Sequence, residues 1–504
     1  MADIYVDTNA AGGGDGSIES PYNVWDNAYI ADGNNVYVKR GSTLGALSLP
    51  GLAGGSECTL TNYGTGPLPI IDGGAAAEAL TLSGTQDILI DGFTVTNATT
   101  RTVRIISSSH GATVRNLFVS GGNDAIVVNS GDNVTIDSCD CSGFVRYGIL
   151  VQSFGATDVV ESCNVTDCTT TGGQYGVVGF TSKSISISGC DCSGGSAIGV
   201  YVTQSNGTVT VSDCSSNNAV AFSFANNDGA TFYITDLSGV GTGGQLLRFS
   251  NNLNIGVGSY IDGLIGTGSI GIQSVDGMTF KNTYNSGGIG VNVAWSNLVF
   301  EGCSTYNSTT DGFSFVATSG NVGGVILRRC KSWGNGSGTF PNETGDGITG
   351  HQYCYDIVAE DCEFFQNKNT GAAFISDSTV TLRRCLIYDN GVEDAERAGV
   401  YIPLNTAGSS ATIEDCLIED NHPCELLFAG TPLTGTFTAS NNEYWHRKDD
   451  NFATIDGGVT YIDWDTYNAL GLETGSTFEP NLRPIRALPI RLRPVSLNIV
   501  RLRS

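Results

Sequence analysis

Positive charge is scarce in this chain: 24 Lys and Arg stand against 50 Asp and Glu, for a net charge of −26. A surface of that sign repels a phosphate backbone, which argues against duplex nucleic acid as a partner. Charged residues make up only 15% of the chain while Gly numbers 68 and hydrophobic residues reach 40%, which excludes disorder and fits many short strands joined by turns. No apolar run is long enough to span a bilayer, so no membrane insertion is expected. The opening Met1-Ala2-Asp3-Ile4-Tyr5-Val6 lacks the basic, apolar and small-residue order of a signal peptide. The expectation is either that a leader was removed or that the protein is made in a reducing cytoplasm and leaves by another route, such as release of a virus particle.

What is abundant is cysteine in a repeating context. Cys139, Cys163, Cys190, Cys214, Cys303, Cys330, Cys362, Cys385 and Cys416 close similar strand patterns, among them Val134-Thr135-Ile136-Asp137-Ser138-Cys139 and Val380-Thr381-Leu382-Arg383-Arg384-Cys385. Subtracting neighbours gives steps of 24, 27 and 24, then 27, 32, 23 and 31. Variable steps around a constant motif mean one coil of a solenoid, with insertions confined to a loop. Small buried thiols at equivalent points of successive coils read as reduced structural residues, although neighbouring coils bring sulfurs close enough to leave disulfides open.

Each coil reads as a strand ending at the cysteine, a tight bend, a short strand, a variable loop, and a strand opening with glycine and an apolar residue. Alternation points Ile126, Ile149, Val177, Val200, Ile272, Val291, Phe313, Ile348 and Val400 inward. Residues 1–57 form a start cap with a short helix from Pro21 to Ala31, and residues 58–430 form the coils. Residues 431–482 close the solenoid with a helix near Asp463 to Gly471. Residues 483–504 form a basic tail that holds six of the 24 basic residues and no acidic one. The tail has three readings of equal weight: pairing with another subunit, packing on the acidic coils, or a remnant foreign to the fold.

The start Tyr5-Val6-Asp7, Gly14-Asp15-Gly16-Ser17, Pro21, Ala28 and Val36-Tyr37-Val38, with the coils and the close at Trp464, Leu470-Gly471, Ser476 and Glu479-Pro480, resembles the right-handed parallel β-helix superfamily of pectate lyases and phage tailspikes. The resemblance covers about residues 1–482. It implies an all-β, single-stranded right-handed parallel β-helix with a short N-terminal helix cap and a C-terminal cap. It also implies a polysaccharide groove on the flat face of the glycine-containing strands, in a tailspike- or depolymerase-like enzyme of the virion or the extracellular space, with a homotrimer as its assembly. Because the superfamily also holds non-catalytic proteins, a glycan-binding or rigid-spike role is the alternative.

On that face alternation exposes Phe180, Tyr201, Arg248, Asn292, Thr349, Phe374 and Tyr401, with Trp295 just beyond Asn292, as sugar-binding candidates. Aromatic rings suit the C–H faces of sugars, and amides and charges suit their hydroxyls. Buried packing under loops is the competing role for Phe180, Phe374 and Tyr401. Two long insertions, 333–345 and 390–397, flank His351, one of only four histidines. Asp311 should stack one coil from Asp346, about 4.8 Å away, close enough to titrate apart or to share a cation. Asp before Gly is also a common turn cap, which gives both a structural alternative of equal weight. A glycosidase would draw two carboxyls from Asp311, Glu343, Asp346 and Glu396. A uronate lyase would need His351 or Lys368 as base and Arg397 to stabilise the developing anion. Neither route requires a cofactor, and Ca2+ is the candidate if a cation is bound.

Overall fold

A computed structural model describes residues 2–49, 51–52, 56–154, 159–317, 322–336, 345–351, 353–375, 378–391, 398–403, 406, 408–429, 435–446, 452–454 and 460–480. Glu343, Glu396, Arg397, both insertion tips and the basic tail lie outside them. The chain winds into a right-handed parallel β-solenoid of about 16 turns. Each coil has three strands: a lead strand such as Ser162–Thr166, a corner strand such as Thr169–Thr171, and a face strand such as Tyr175–Phe180. Each strand pairs in parallel with its counterpart one coil on, so that Ile126, Ile149, Val177, Val200 and Phe222 form one inward column. All the inward positions named above are essentially inaccessible to solvent.

The bend between lead and corner strands is a single residue in the left-handed region. Asp167, Gly189, Asp213, Asp361 and Asp415 occupy it with φ between 50° and 65°. Asp, Asn and Gly tolerate that conformation best. Cysteine follows directly, with its thiol turned inward onto carbonyls: Cys190 Sγ lies 3.3 Å from Ser188 O and 3.8 Å from Val165 O. All fifteen cysteines are buried and free. Cys163 is not one of the bend residues. It lies within a lead strand opposite Val134 and Ile185, and Cys168 takes the bend position instead. The true steps there are 29, 22 and 24, from 139 to 168, 190 and 214. The Thr166-Asp167-Cys168 triplet carries the signal, because its Asp is the left-handed residue.

A second one-residue bend ends the corner strand. Gly334, Gln366, Asp389 and Asp420 take positive φ there, each followed by a buried asparagine. The amides of Asn335, Asn367, Asn390 and Asn421 are chained, each Nδ2 donating to the next Oδ1 over 2.8 to 2.9 Å. The chain stops at Glu425, whose carboxylate accepts from Asn421 Nδ2 at 2.6 Å and lies 2.8 Å from His446 Nδ1. This ladder anchors the corner from which the two long insertions leave.

The caps differ in detail from expectation. The N-terminal helix is one 3₁₀ turn, Asn27–Tyr29, because the Asp26 side chain caps Ala28 N and Ile30 is already extended. The C-terminal helix runs Trp464–Ala469, capped by Asp463 and stopped before Gly471 at φ 65°.

Candidate glycan-binding face

The outer side of the face strands is built from three columns of side chains. At its N-terminal end it is charged: Glu78 Oε1 accepts from Arg101 and Arg104 at 3.3 and 3.2 Å, and Arg146 pairs with buried Asp124 through two bonds of 3.1 and 2.9 Å. The guanidinium of Arg146 also lies 4.5 Å from the centre of the Tyr147 ring.

Next comes an apolar patch that belongs to the outside of the solenoid, separate from the main core. Val127, Leu150 and Val178 are its buried floor, and Tyr147, Tyr175, Phe180 and Tyr201 pack over it. Tyr147 and Tyr175 lie 5.2 Å apart and Tyr175 and Tyr201 6.2 Å apart. Burial raises the Tyr147 phenol above its ordinary pKa, so it stays a hydrogen-bond donor. One coil beyond Tyr201 the column holds Ser223, which is too small to cover the ring.

Beyond that step the face becomes a polar trough of about 370 Å³ lined by Gln245, Arg248, Ser250, Gly271, Ile272, Gln273 and Asn292. Its floor drops because Gly271 and Gly290 follow Arg248 in the column. Phe180, Tyr201, Arg248 and Asn292 thus share one continuous face, as alternation predicts.

Three other candidates do not line it. Phe374 is fully buried, because Ala372 takes the inward place opposite Ile348 and alternation carries Phe374 inside, against Gly350. Trp295 is 4% exposed and packs 5.8 Å from Phe315. A bulge between Gln273 and Val275 shifts the register and turns it inward. Thr349 keeps its outward place yet is covered, and its hydroxyl donates to Asp346 Oδ2 at 3.1 Å. Tyr401 is half-buried at the far end, packed on Ala398, Cys424 and Leu427.

Asp311 and Asp346 do stack on adjacent coils, and both are 6% exposed. Asp311 Oδ1 accepts the backbone N–H groups of Gly345 and Asp346 at 2.9 and 3.1 Å. Asp346 Oδ1 accepts Thr370 N at 2.9 Å. Each carboxylate thereby caps the chain of the following coil, Asp311 at the root of the first insertion and Asp346 at Thr370. His351 is half-exposed two coils past Asn292, with Nε2 3.5 Å from Ser314 Oγ. Lys368 lies beside Gly336 and Gly345 at the base of the first insertion, and its backbone N donates to Asn335 O at 3.0 Å. Among the described residues no group of three His, Cys, Asp or Glu is arranged to hold a metal ion. Among them, too, no helix is long and apolar enough to cross a membrane.

Sequence reasoning missed the tyrosines at 147 and 175 and a second aromatic row on the corner strands. In that row Tyr306, Trp333, Phe365 and Tyr388 stack at 5.2, 5.6 and 4.9 Å, within 15° of parallel. The third position of Ser304-Thr305-Tyr306, Lys331-Ser332-Trp333, Glu363-Phe364-Phe365 and Leu386-Ile387-Tyr388 was the available signal. Because these rings cover one another's faces, the row is a stacking ladder and offers sugars little beyond ring edges.

The profile of the family described as "right handed beta helix region" matches residues 78–238 and 226–471. The chain belongs to the right-handed β-helix family. This β-helix protein is 38% identical over 74 residues to a polygalacturonase of Penicillium janthinellum, across 14% of its own length. The match spans 19% of that curated relative. Among solved structures it is similar to pectate lyase Pel9A, at 12% identity over 91% of this chain and 81% of that one, with a TM-score of 0.21. It is also similar to the alginate lyase AlyGC, at 10% identity over 86% and 85%, with a TM-score of 0.33. For the Dettilon tailspike protein the figures are 11% identity over 81% and 61%, with a TM-score of 0.27.

Proposed function

We propose that this β-helix protein degrades polysaccharide in the manner of a tailspike or depolymerase, with the glycan lying along the outer side of the face strands. The observation that carries the reading is the run of Tyr147, Tyr175, Tyr201 and Phe180 into the polar trough at Arg248 and Asn292. An apolar aromatic step beside convergent amides suits a sugar chain, which presents C–H faces and hydroxyls in turn. The stretch shared with a polygalacturonase supports it.

For cleavage the lyase route is favoured over a pair of Asp311 and Asp346, since both of those carboxylates are engaged with backbone N–H groups. His351 is the half-exposed titratable group beside the face. As base it would take the proton next to a uronate carboxylate, and the electron pair released would form the double bond and expel the glycosidic oxygen. Lys368 is the alternative base, and Arg397 would steady the anion. A hydrolase would instead rely on Glu343 and Glu396. The same engagement of Asp311 and Asp346 favours a second reading, a non-catalytic glycan-binding or spike protein.

The test is incubation with capsular, lipopolysaccharide and uronate polymers while new reducing ends and near-ultraviolet absorbance are followed. Both signals mean a lyase, and reducing ends alone mean a hydrolase. Neither signal across the panel would remove the enzyme reading. His351→Ala should abolish lyase turnover while circular dichroism stays unchanged, and an undiminished rate would take His351 out of the site. The reading places the protein on a phage tail or outside the cell as a homotrimer, with Ca2+ as the cation to look for. Mass in solution and elemental analysis test these points.

A further inference from the structure

Among the described arginines only Arg40 and Arg248 pair with no carboxylate, and Arg40 is tied to Asn62 Oδ1 and Gly66 O. Arg101, Arg104, Arg115, Arg146, Arg328, Arg329, Arg383 and Arg384 each pair with a carboxylate. Arg248 is exposed, and its only hydrogen bond to a described residue runs from Nε to Gln245 Oε1 at 3.2 Å. That bond fixes the plane of the guanidinium and leaves its two Nη groups for a ligand. In a chain of net charge −26, a guanidinium with no carboxylate partner can take an external anion.

The surroundings are built to match. Across the coils from Val220 to Val316 the outward columns are Val220, Ser223, Ala225, Gln245, Ser250, Ser269, Gly271, Gln273, Gly290, Asn292, Ser314 and Val316 around Arg248, and none is acidic. Gln273 and Asn292 are exposed, and their amides bond to no described residue. Gly290 leaves room over the backbone, with nothing nearer than 3.8 Å to where a Cβ would stand, and Gly271 admits the Gln245 amide, which a Cβ would meet at 2.9 Å. Ser223, beside Arg248 one coil earlier, is fully buried with its hydroxyl unpartnered. A fixed guanidinium fork, two unengaged amides and an open floor suit an anionic group bonded through two oxygens, on a ring that also carries hydroxyls.

We infer that the Arg248 trough binds the charged substituent, carboxylate or sulfate, of an acidic sugar unit. This rests on the reading that the face holds glycan. The chain's overall negative charge does not prevent it, because screening at physiological salt confines distant charges to a Debye length of about 8 Å.

Calorimetric titration of the full chain with polygalacturonate, its methyl ester, dextran sulfate and neutral dextran tests the site, with Arg248→Ala and Arg248→Lys alongside. Preference for polygalacturonate or dextran sulfate is expected, and which of the two binds identifies the substituent. Arg248→Ala should weaken that binding by about tenfold or more, and Arg248→Lys should restore part of it, as a point charge without the fork. Melting temperature checks that both variants fold. Binding of acidic polymer unchanged by Arg248→Ala, or binding of the ester and dextran alone, would overturn the site and leave the glycan reading standing. No binding of any of the four polymers would overturn the site along with the glycan-binding reading on which it rests.

Discussion

Replacing Asn390 by alanine should destabilise the C-terminal coils more than the loss of one polar side chain suggests. The Asn390 amide holds four hydrogen bonds: Oδ1 accepts Asn367 N and Nδ2 at 3.1 and 2.9 Å, while Nδ2 donates to Phe364 O and Asn421 Oδ1 at 3.0 and 2.9 Å. After truncation Asn367 Nδ2 keeps Ser332 O and Asn421 Oδ1 keeps Asn390 N. Asn367 N is left bare in an interior without access to water, whereas Phe364 O stays in the parallel ladder with Leu386–Tyr388. At about 1–3 kcal/mol for a buried unsatisfied group, the cost is about 1–3 kcal/mol. Urea unfolding gives the total, and hydrogen exchange at the Asn367 amide gives the local part, which matters because long repeat arrays depart from two-state behaviour. Asn292→Ala, an exposed amide with no described partner, is the control and should stay within about 0.5 kcal/mol. An Asn390→Ala protein within about 1 kcal/mol of the parent, with Asn367 exchange unchanged, would refute the ladder argument.

Two further outcomes follow from buried titratable groups. Burial raises the Glu425 carboxyl above its ordinary value of 4.5, so its contribution is complete below that pH and lost as pH rises through the folded-state value. Glu425→Gln should therefore gain stability relative to the parent as pH is raised from about 4.5, and a gap that does not change with pH would contradict this. Thiol titration with Ellman's reagent should find no fast-reacting cysteine in the native protein and fifteen in denaturant, since every cysteine is buried and burial pushes Cys163 up to about 12 and Cys58 up to about 11. Fast native labelling, or fewer than fifteen on denaturation, would contradict the free, stacked arrangement.

The coil and its inward columns were legible because period-two alternation is imposed by the pleat and survives insertions elsewhere. Alternation failed where counting began one residue off, at Ala372, and where a bulge broke it, at Trp295. The bend was misplaced at Cys163 because a cysteine in a strand looks the same in sequence as one after a bend, and only the preceding left-handed residue separates them. Asp311 and Asp346 were correctly stacked, but which atoms their oxygens accept depends on the next coil's backbone, and no local pattern encodes that. The trough at Arg248 was half visible: the arginine and Asn292 follow from alternation, whereas its depth comes from glycines aligned only by register across coils.

The asparagine chain from residue 335 to 421 has a direction. Every amide donates toward the C-terminal end, so their dipoles add, and the positive end of the row falls at Asn421 Nδ2. A carboxylate, Glu425, meets it there, as acids meet the N-terminus of an α-helix. The solenoid is therefore polar along its axis in charge as well as in chain sense. A further asparagine coil joined after Asn421 would have to displace that acid, so the row can lengthen without penalty only from its N-terminal end.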